Sequence, residues 1–167
     1  MLARYLARMP DGARETFMQQ AIDLALEGVR TNQGGPFGAV LVREGRVVGA
    51  GCNRVTSTND PTAHAEIVAI RAACAGLATF ALADCELFAT CEPCPMCWAA
   101  IHWARVPRVF YACRRDDAAS AGFDDAALYE ELVHPPRAPR VAFQALMREQ
   151  GLAVFRAWLE KPDRKRY

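Results

Sequence analysis

Two short blocks constrain this chain more than anything else in it: His64-Ala65-Glu66, and further on Pro93-Cys94-Pro95-Met96-Cys97. Both read as helix starts. Pro95 suits a first helical position, and Cys94 and Cys97, three residues apart at the beginning of a helix, send their sulfurs the same way. A helix N-terminus also favours the thiolate forms. Zinc takes histidine nitrogen and cysteine sulfur in a tetrahedron, and three protein ligands leave a fourth position for water. The expectation is one zinc per subunit on His64, Cys94 and Cys97.

Zinc brings the pKa of its water to about 7, so a proton carrier is needed beside it. Glu66 can take the proton from water and deliver it to a ring and then to a departing amine. In a regular helix side chains at i and i+2 diverge, so this works only if His64 and Glu66 occupy the first turn around the metal. Taken singly, each residue has a plainer reading. His64 alone is a core or helix-start histidine, Glu66 a first-turn partner of the helix dipole, and Cys-x-x-Cys a redox pair or structural zinc site. The joint pattern favours a catalytic metal. Two readings stay open beside it: Cys91 as a third sulfur closing a structural Cys₃His site, and His102 as a fourth ligand.

Composition narrows the class of partner. A chain of 167 residues with 52% hydrophobic and 23% charged residues fits one folded domain. A net charge of +1 leaves no electrostatic footprint for nucleic acid or membrane. Its lysines, Lys161 and Lys165, both lie in the tail. A small molecule is the expected substrate. Seven cysteines, an odd number, together with no apolar signal-like run in Met1 to Arg14, imply a reducing cytoplasm.

Apolar periodicity places a helix over Ala13 to Arg30 and a hairpin from Phe37 turning at Glu44-Gly45 into Val47 to Gly51. A second helix is capped by Asp60-Pro61 and runs to about Ala75. A strand over Cys85 to Thr90, a helix over Pro95 to Ala104 and a strand over Arg108 to Ala112 follow. Short helices over Asp116 to Ala121 and Asp125 to Leu132, a last strand over Arg140 to Leu146 and a terminal helix over Gly151 to Leu159 complete the pattern. Strands alternating with helices predict a three-layer α/β/α fold around a mixed five-stranded sheet.

Thr58-Asn-Asp-Pro-Thr-Ala-His-Ala-Glu-Ile, Thr90-Cys-Glu-Pro-Cys-Pro-Met-Cys and Val109-Phe-Tyr-Ala resemble the cytidine-deaminase-like superfamily, whose signature is H-x-E followed by P-C-x-x-C. Asp117-Ala-Ala-Ser-Ala-Gly-Phe-Asp-Asp, Tyr129, Phe155-Arg-Ala-Trp158 and the terminal Tyr167 are similar to the bacterial guanine deaminase branch. That resemblance implies the cytidine-deaminase-like fold over residues 14–167, with 1–13 as an N-terminal extension. It implies hydrolysis of guanine to xanthine and ammonia by attack at C2. Position by position it implies His64, Cys94 and Cys97 as zinc ligands and Glu66 as proton shuttle. It also implies Phe37 stacking on the purine, and Asn53, the Ala65 backbone and Asp125 bonding to it. Tyr167 is implied to lie over the site, with residues 151–167 exchanged between subunits of a homodimer. Plainer roles stand beside three of these: Asn53 as a turn former, Phe37 as core, Asp124 and Asp125 as helix caps. Trp98, Trp103 and His102 are expected to pack or to line the pocket's outer wall. Two rival functions stay open, a tRNA adenosine deaminase and a non-enzymatic module closed around zinc.

Overall fold

The computed structural model describes residues 12–134 and 141–165. These residues fall into two compact units, divided between Ala126 and Ala127.

The first unit is built on a four-stranded sheet in the order β2-β1-β3-β4, with β1 at Gly38–Arg43, β2 at Arg46–Cys52, β3 at Cys85–Cys91 and β4 at Arg108–Cys113. β1 pairs antiparallel with both β2 and β3, whereas β3 and β4 run parallel. The hairpin turns on Glu44 and Gly45, both with positive φ, the backbone that a two-residue connection between twisted strands requires.

Alternation along β1 and β3 makes the layers. Val40, Val42 and Phe88 point to one face, where they meet Phe17 and Ala21 of α1 (Ala13–Arg30). Ala39, Leu41, Leu87 and Ala89 point to the other and pack on α3 (Ala65–Leu77) and α4 (Pro95–Trp103). This is the period of two expected of strands buried on both sides. On the edge of the parallel pair Arg108 forms an ion pair with the buried Glu86, its register partner.

Because parallel β3 and β4 end at the same edge, and antiparallel β1 begins there, one rim of the sheet gathers Phe37, Asn53, Cys91 and Cys113. The N-termini of α3 and α4 come to that same rim. Ligands in open α/β sheets bind beyond the carboxyl ends of strands.

Two expectations are corrected. A short helix α2 (Val55–Thr58) stands before α3, and Asp60 does not cap α3. Its carboxylate instead accepts the Thr62 N–H at 2.8 Å and the Thr62 hydroxyl at 2.6 Å. This local turn competes successfully with helix initiation, and the helix starts after His64. The fifth strand is also absent: residues 141–147 form no strand, and Arg140 lies outside the described residues. That segment mixes Val and Phe with two alanines of low strand propensity.

The second unit holds most of α6 (Ala126–Val133), which follows α5 (Arg115–Ser120), and all of α7 (Arg148–Glu160). None of residues 141–165 is buried. Among the described residues no helix is long and apolar enough to cross a membrane.

Gly49 of β2 lies under α3, and a Cβ there would run into the Ala69 carbonyl oxygen and the Ala73 side chain. Backbone cannot yield as a flexible side-chain tip does. Gly49→Ala is therefore expected to cost about 1–3 kcal/mol of stability, read by urea denaturation of the zinc-loaded protein; an unchanged midpoint would refute this packing.

Candidate active site

His64 is the N-cap residue of α3 and Cys94 that of α4, both in extended backbone. His64 offers its carbonyl to Val68 N–H at 2.9 Å and Cys94 to Trp98 N–H at 2.8 Å, so each begins its helix while its side chain stays outside the helical pattern. This resolves the spacing problem of His64 and Glu66. Glu66 is the second helical residue and His64 is not helical at all, so the two need not diverge as i and i+2 in a regular helix do.

The His64 Nδ1 atom lies 3.5 Å from Cys94 Sγ and 3.5 Å from Cys97 Sγ, and the three side chains form a compact metal-ligating group. Zn–N and Zn–S bonds of about 2.0–2.3 Å on a tetrahedron separate nitrogen and sulfur by about 3.5 Å. The cluster fits zinc without rearrangement. Cys91 is not in it, so the fourth ligand of a closed Cys₃His site is missing. His102 is not in it either; its Nδ1–H donates to the Trp98 carbonyl at 2.9 Å on the exposed side of α4.

With protons in place of a metal ion, a hydrogen bond from Cys97 and one from His64 push the Cys94 thiol down to about 4. Cys97 keeps its proton and donates it to Cys94, and burial adds to that preference. The contact with Cys94 raises the His64 pKa. A cluster that already carries a thiolate attracts a divalent cation, which must displace the remaining proton. Burial is the main cause of a raised Glu66 pKa. A buried carboxyl held near its proton beside a metal centre is suited to proton transfer near neutrality.

These groups form one wall of a cavity of about 370 Å³. Phe37, Asn53, His64, Glu66, Cys94 and Asp125 all face it. Phe37 is not simply core: it packs edge-on against Phe123, ring centroids 5.0 Å apart at 83°, and the two aromatics form a wall together. Buried Asn53 accepts N–H bonds at its Oδ1 from Gly35 at 3.1 Å and Val55 at 3.2 Å. Both lone pairs of that oxygen are engaged, which leaves the NH₂ to meet a ligand. Of the two aspartates, Asp124 makes the turn bond, accepting Ala126 N–H at 2.9 Å. Both line the cavity, and the Asp125 pKa is raised chiefly by burial, then by the Cys94 charge. Ala65 is buried at the first helical position of α3. Tyr167 lies outside the described residues.

Glu92, Arg115, Phe123 and Thr56 also line the cavity, and none of them belongs to the expected site residues. Phe123 stood inside the Ala-Gly-Phe-Asp-Asp block, which was the available signal; Glu92 and Arg115 carried none. Trp98 and Trp103 face outward, and neither lines the cavity.

A model of the cytidine and deoxycytidylate deaminase zinc-binding region matches residues 12–113, which contain the whole ligand cluster. The chain belongs to that family. Within it, the chain is 48% identical to a guanine deaminase of Bacillus subtilis over 153 residues, 92% of this chain and 98% of that one. The crystal structure of that deaminase superposes with a TM-score of 0.88. A guanine deaminase from Nitrosomonas europaea is 30% identical, with a TM-score of 0.64 over 86% of this chain and 82% of its own. A tRNA-specific adenosine deaminase of Agrobacterium fabrum is 49% identical, but over 47% of this chain and 52% of its own.

In the metal-free protein the folded state holds the Glu66 proton to higher pH than the unfolded chain, whose value is near 4.5. Stability should therefore fall as pH rises from that value through the raised one. Glutamine cannot ionise, so Glu66→Gln should remove this part of the slope. Thermal melts of chelator-treated wild type and Glu66→Gln between about pH 5 and about pH 8 test it, and parallel curves would contradict the burial argument.

Proposed function

We propose that this chain hydrolyses guanine to xanthine and ammonia in the cytoplasm, a compartment that suits its seven free cysteines. The observation that carries the reading is the pairing of an open His/Cys/Cys centre beside buried Glu66 with a likeness to the Bacillus subtilis guanine deaminase that runs through nearly the whole chain. The likeness to the Agrobacterium fabrum tRNA enzyme stops at about half of it.

Zinc on His64, Cys94 and Cys97 supplies a Lewis acid that makes a water nucleophilic near neutral pH. The rest falls to the chain. Phe37 stacks on the purine, the Asn53 NH₂ donates to it, and the first-turn N–H of Ala65, which has no acceptor within its helix, donates beside it. Asp125, raised by burial, meets a donor on the same edge of the base. These contacts would present C2 to the His64, Cys94 and Cys97 cluster. Glu66 takes one proton from the attacking water and passes it to the ring nitrogen; it then takes the second from the new C2 hydroxyl and gives it to the amine, so that the C2–N bond breaks and ammonia leaves as the C2 carbonyl forms. A pocket of a few fixed polar groups on an aromatic wall is the usual design for so small a ligand.

We further propose that residues 14–167 act as one deaminase domain in a homodimer that exchanges residues 151–167, with Tyr167 closing the partner's site. Exposed Phe143, Leu146, Val154, Phe155 and Leu159 support this, because a monomer leaving them in water would carry an unusual apolar surface. Light scattering at low micromolar concentration should return a dimer mass; a monomer mass counts against the exchange.

Purified zinc-loaded protein should release ammonia from guanine and not from adenine, cytosine, guanosine or an anticodon stem-loop carrying adenosine. Glu66→Gln should keep stoichiometric zinc and the fold while turnover drops by roughly 10²–10⁴-fold; normal turnover in that variant would falsify the mechanism. Asn53→Ala should lower kcat/KM for guanine by about 10–100-fold or more, because it removes the ligand hydrogen bond and also the Oδ1 tie to Gly35 and Val55.

A further inference from the structure

We propose that Cys91 and Cys113 form a redox-sensitive pair that closes into a reversible disulfide at the rim of the catalytic cavity and lowers turnover when closed. The two cysteines are the final register partners of the parallel β3–β4 ladder. Adjacent strands lie about 4.8 Å apart, inside the roughly 4.4–6.8 Å that a disulfide needs between Cα atoms, and register partners share a face of the sheet. Both residues border an apolar cavity of about 400 Å³ that has Phe37, Cys91, Ala118 and Phe123 in common with the catalytic cavity.

The partners differ in a way that orders the chemistry. Cys113 is exposed, Cys91 half-buried. Cys91 points its thiol at the Arg114 carbonyl, 3.5 Å away and one residue beyond Cys113. Burial, then the proximity of Cys113, raises the Cys91 thiol to about 11. Cys113 is thus the first thiol an oxidant meets. With hydrogen peroxide as oxidant, the Cys113 thiolate attacks one peroxide oxygen; the O–O bond breaks and water leaves once the departing oxygen is protonated. The Cys91 sulfur then attacks the Cys113 sulfenic acid, the S–O bond breaks, and the Cys91 proton leaves with the oxygen as a second water. Two thiols lose two hydrogens and one peroxide becomes two waters.

The consequence for the site follows from the chain path. The chain leaves β3 at Cys91 and passes through Glu92 and Pro93 to the ligand Cys94, and it leaves β4 at Cys113 to enter α5 with Arg115 and Ala118 of the cavity wall. Tying the two ends together removes the Cys91 sulfur from that wall and shifts both segments, and displacements of about 1 Å near a reacting centre cost up to roughly 10²-fold.

Zinc-loaded protein is treated with a stoichiometric amount of hydrogen peroxide, and its free thiols are blocked before peptide mapping by mass spectrometry. The expected result is a linked peptide pair containing Cys91 and Cys113, zinc retained, and ammonia release from guanine reduced on the order of 10–100-fold until dithiothreitol restores it. Cys113→Ser and Cys113→Ala should keep basal turnover and resist the peroxide. Zinc loss with a Cys94–Cys97 link, equal inactivation of wild type and both variants, or a linked protein of full activity would each overturn the proposal. The linkage is read by mass and does not depend on guanine being the substrate; peroxide-treated protein without it overturns the pair whatever the enzyme deaminates.

Discussion

The structure depends on two helices that begin at one edge of a parallel strand pair. β3 and β4 end side by side, and the chain leaving β3 turns at once into α4, so Cys94 is delivered to the rim as the residue that opens that helix. α3 begins at the same rim with His64 as its N-cap. An N-cap residue has extended backbone, and its side chain is released from the helical direction. That freedom lets an imidazole from one helix and two sulfurs from another meet at 3.5 Å. Were either helix to begin one turn earlier, the ligands would lie along its side and point apart.

The same junction explains the electrostatics. Helix N-termini carry partial positive charge, and here they surround groups that function as anions: a thiolate at Cys94 and a carboxyl at Glu66. Burial works against ionisation of Glu66, whereas hydrogen bonds work for ionisation of Cys94. Neighbouring acids are driven in opposite directions, one toward metal binding and one toward holding a proton. Asn53 performs a quieter service at this edge. By accepting from Gly35 and Val55 it ties the loop before β1 to the segment after β2, and so holds Phe37 on the far wall of the cavity.

Much of this was legible in the residues. α1 spans Ala13–Arg30 as its apolar period predicts, and the hairpin turns at Glu44 and Gly45, where glycine takes one of the two positive φ angles at no steric cost. The ligand set could be named from residue type and spacing alone. Where the reading erred, a local signal was real but was used differently. Asp60 does bond to a nearby backbone N–H, yet it closes a turn rather than a helix. Residues 141–147 carry strand-like apolar residues, but a strand exists only through a neighbour's hydrogen bonds, and no periodicity within one segment reveals whether that neighbour is there.

The sequence by itself determined the chemistry of this protein: a soft three-ligand metal set, a carboxyl two residues from one ligand, and helix starts to carry them. These are properties of short segments, governed by side-chain type, proline and spacing. Tertiary structure decided which residues surround that chemistry. Glu92 and Arg115 reach the cavity, Trp98 and Trp103 face away from it, and Cys91 stands apart from the metal ligands but opposite Cys113. Such neighbours come from strands and helices distant along the chain. Their meeting depends on sheet order and register, which local propensity does not encode.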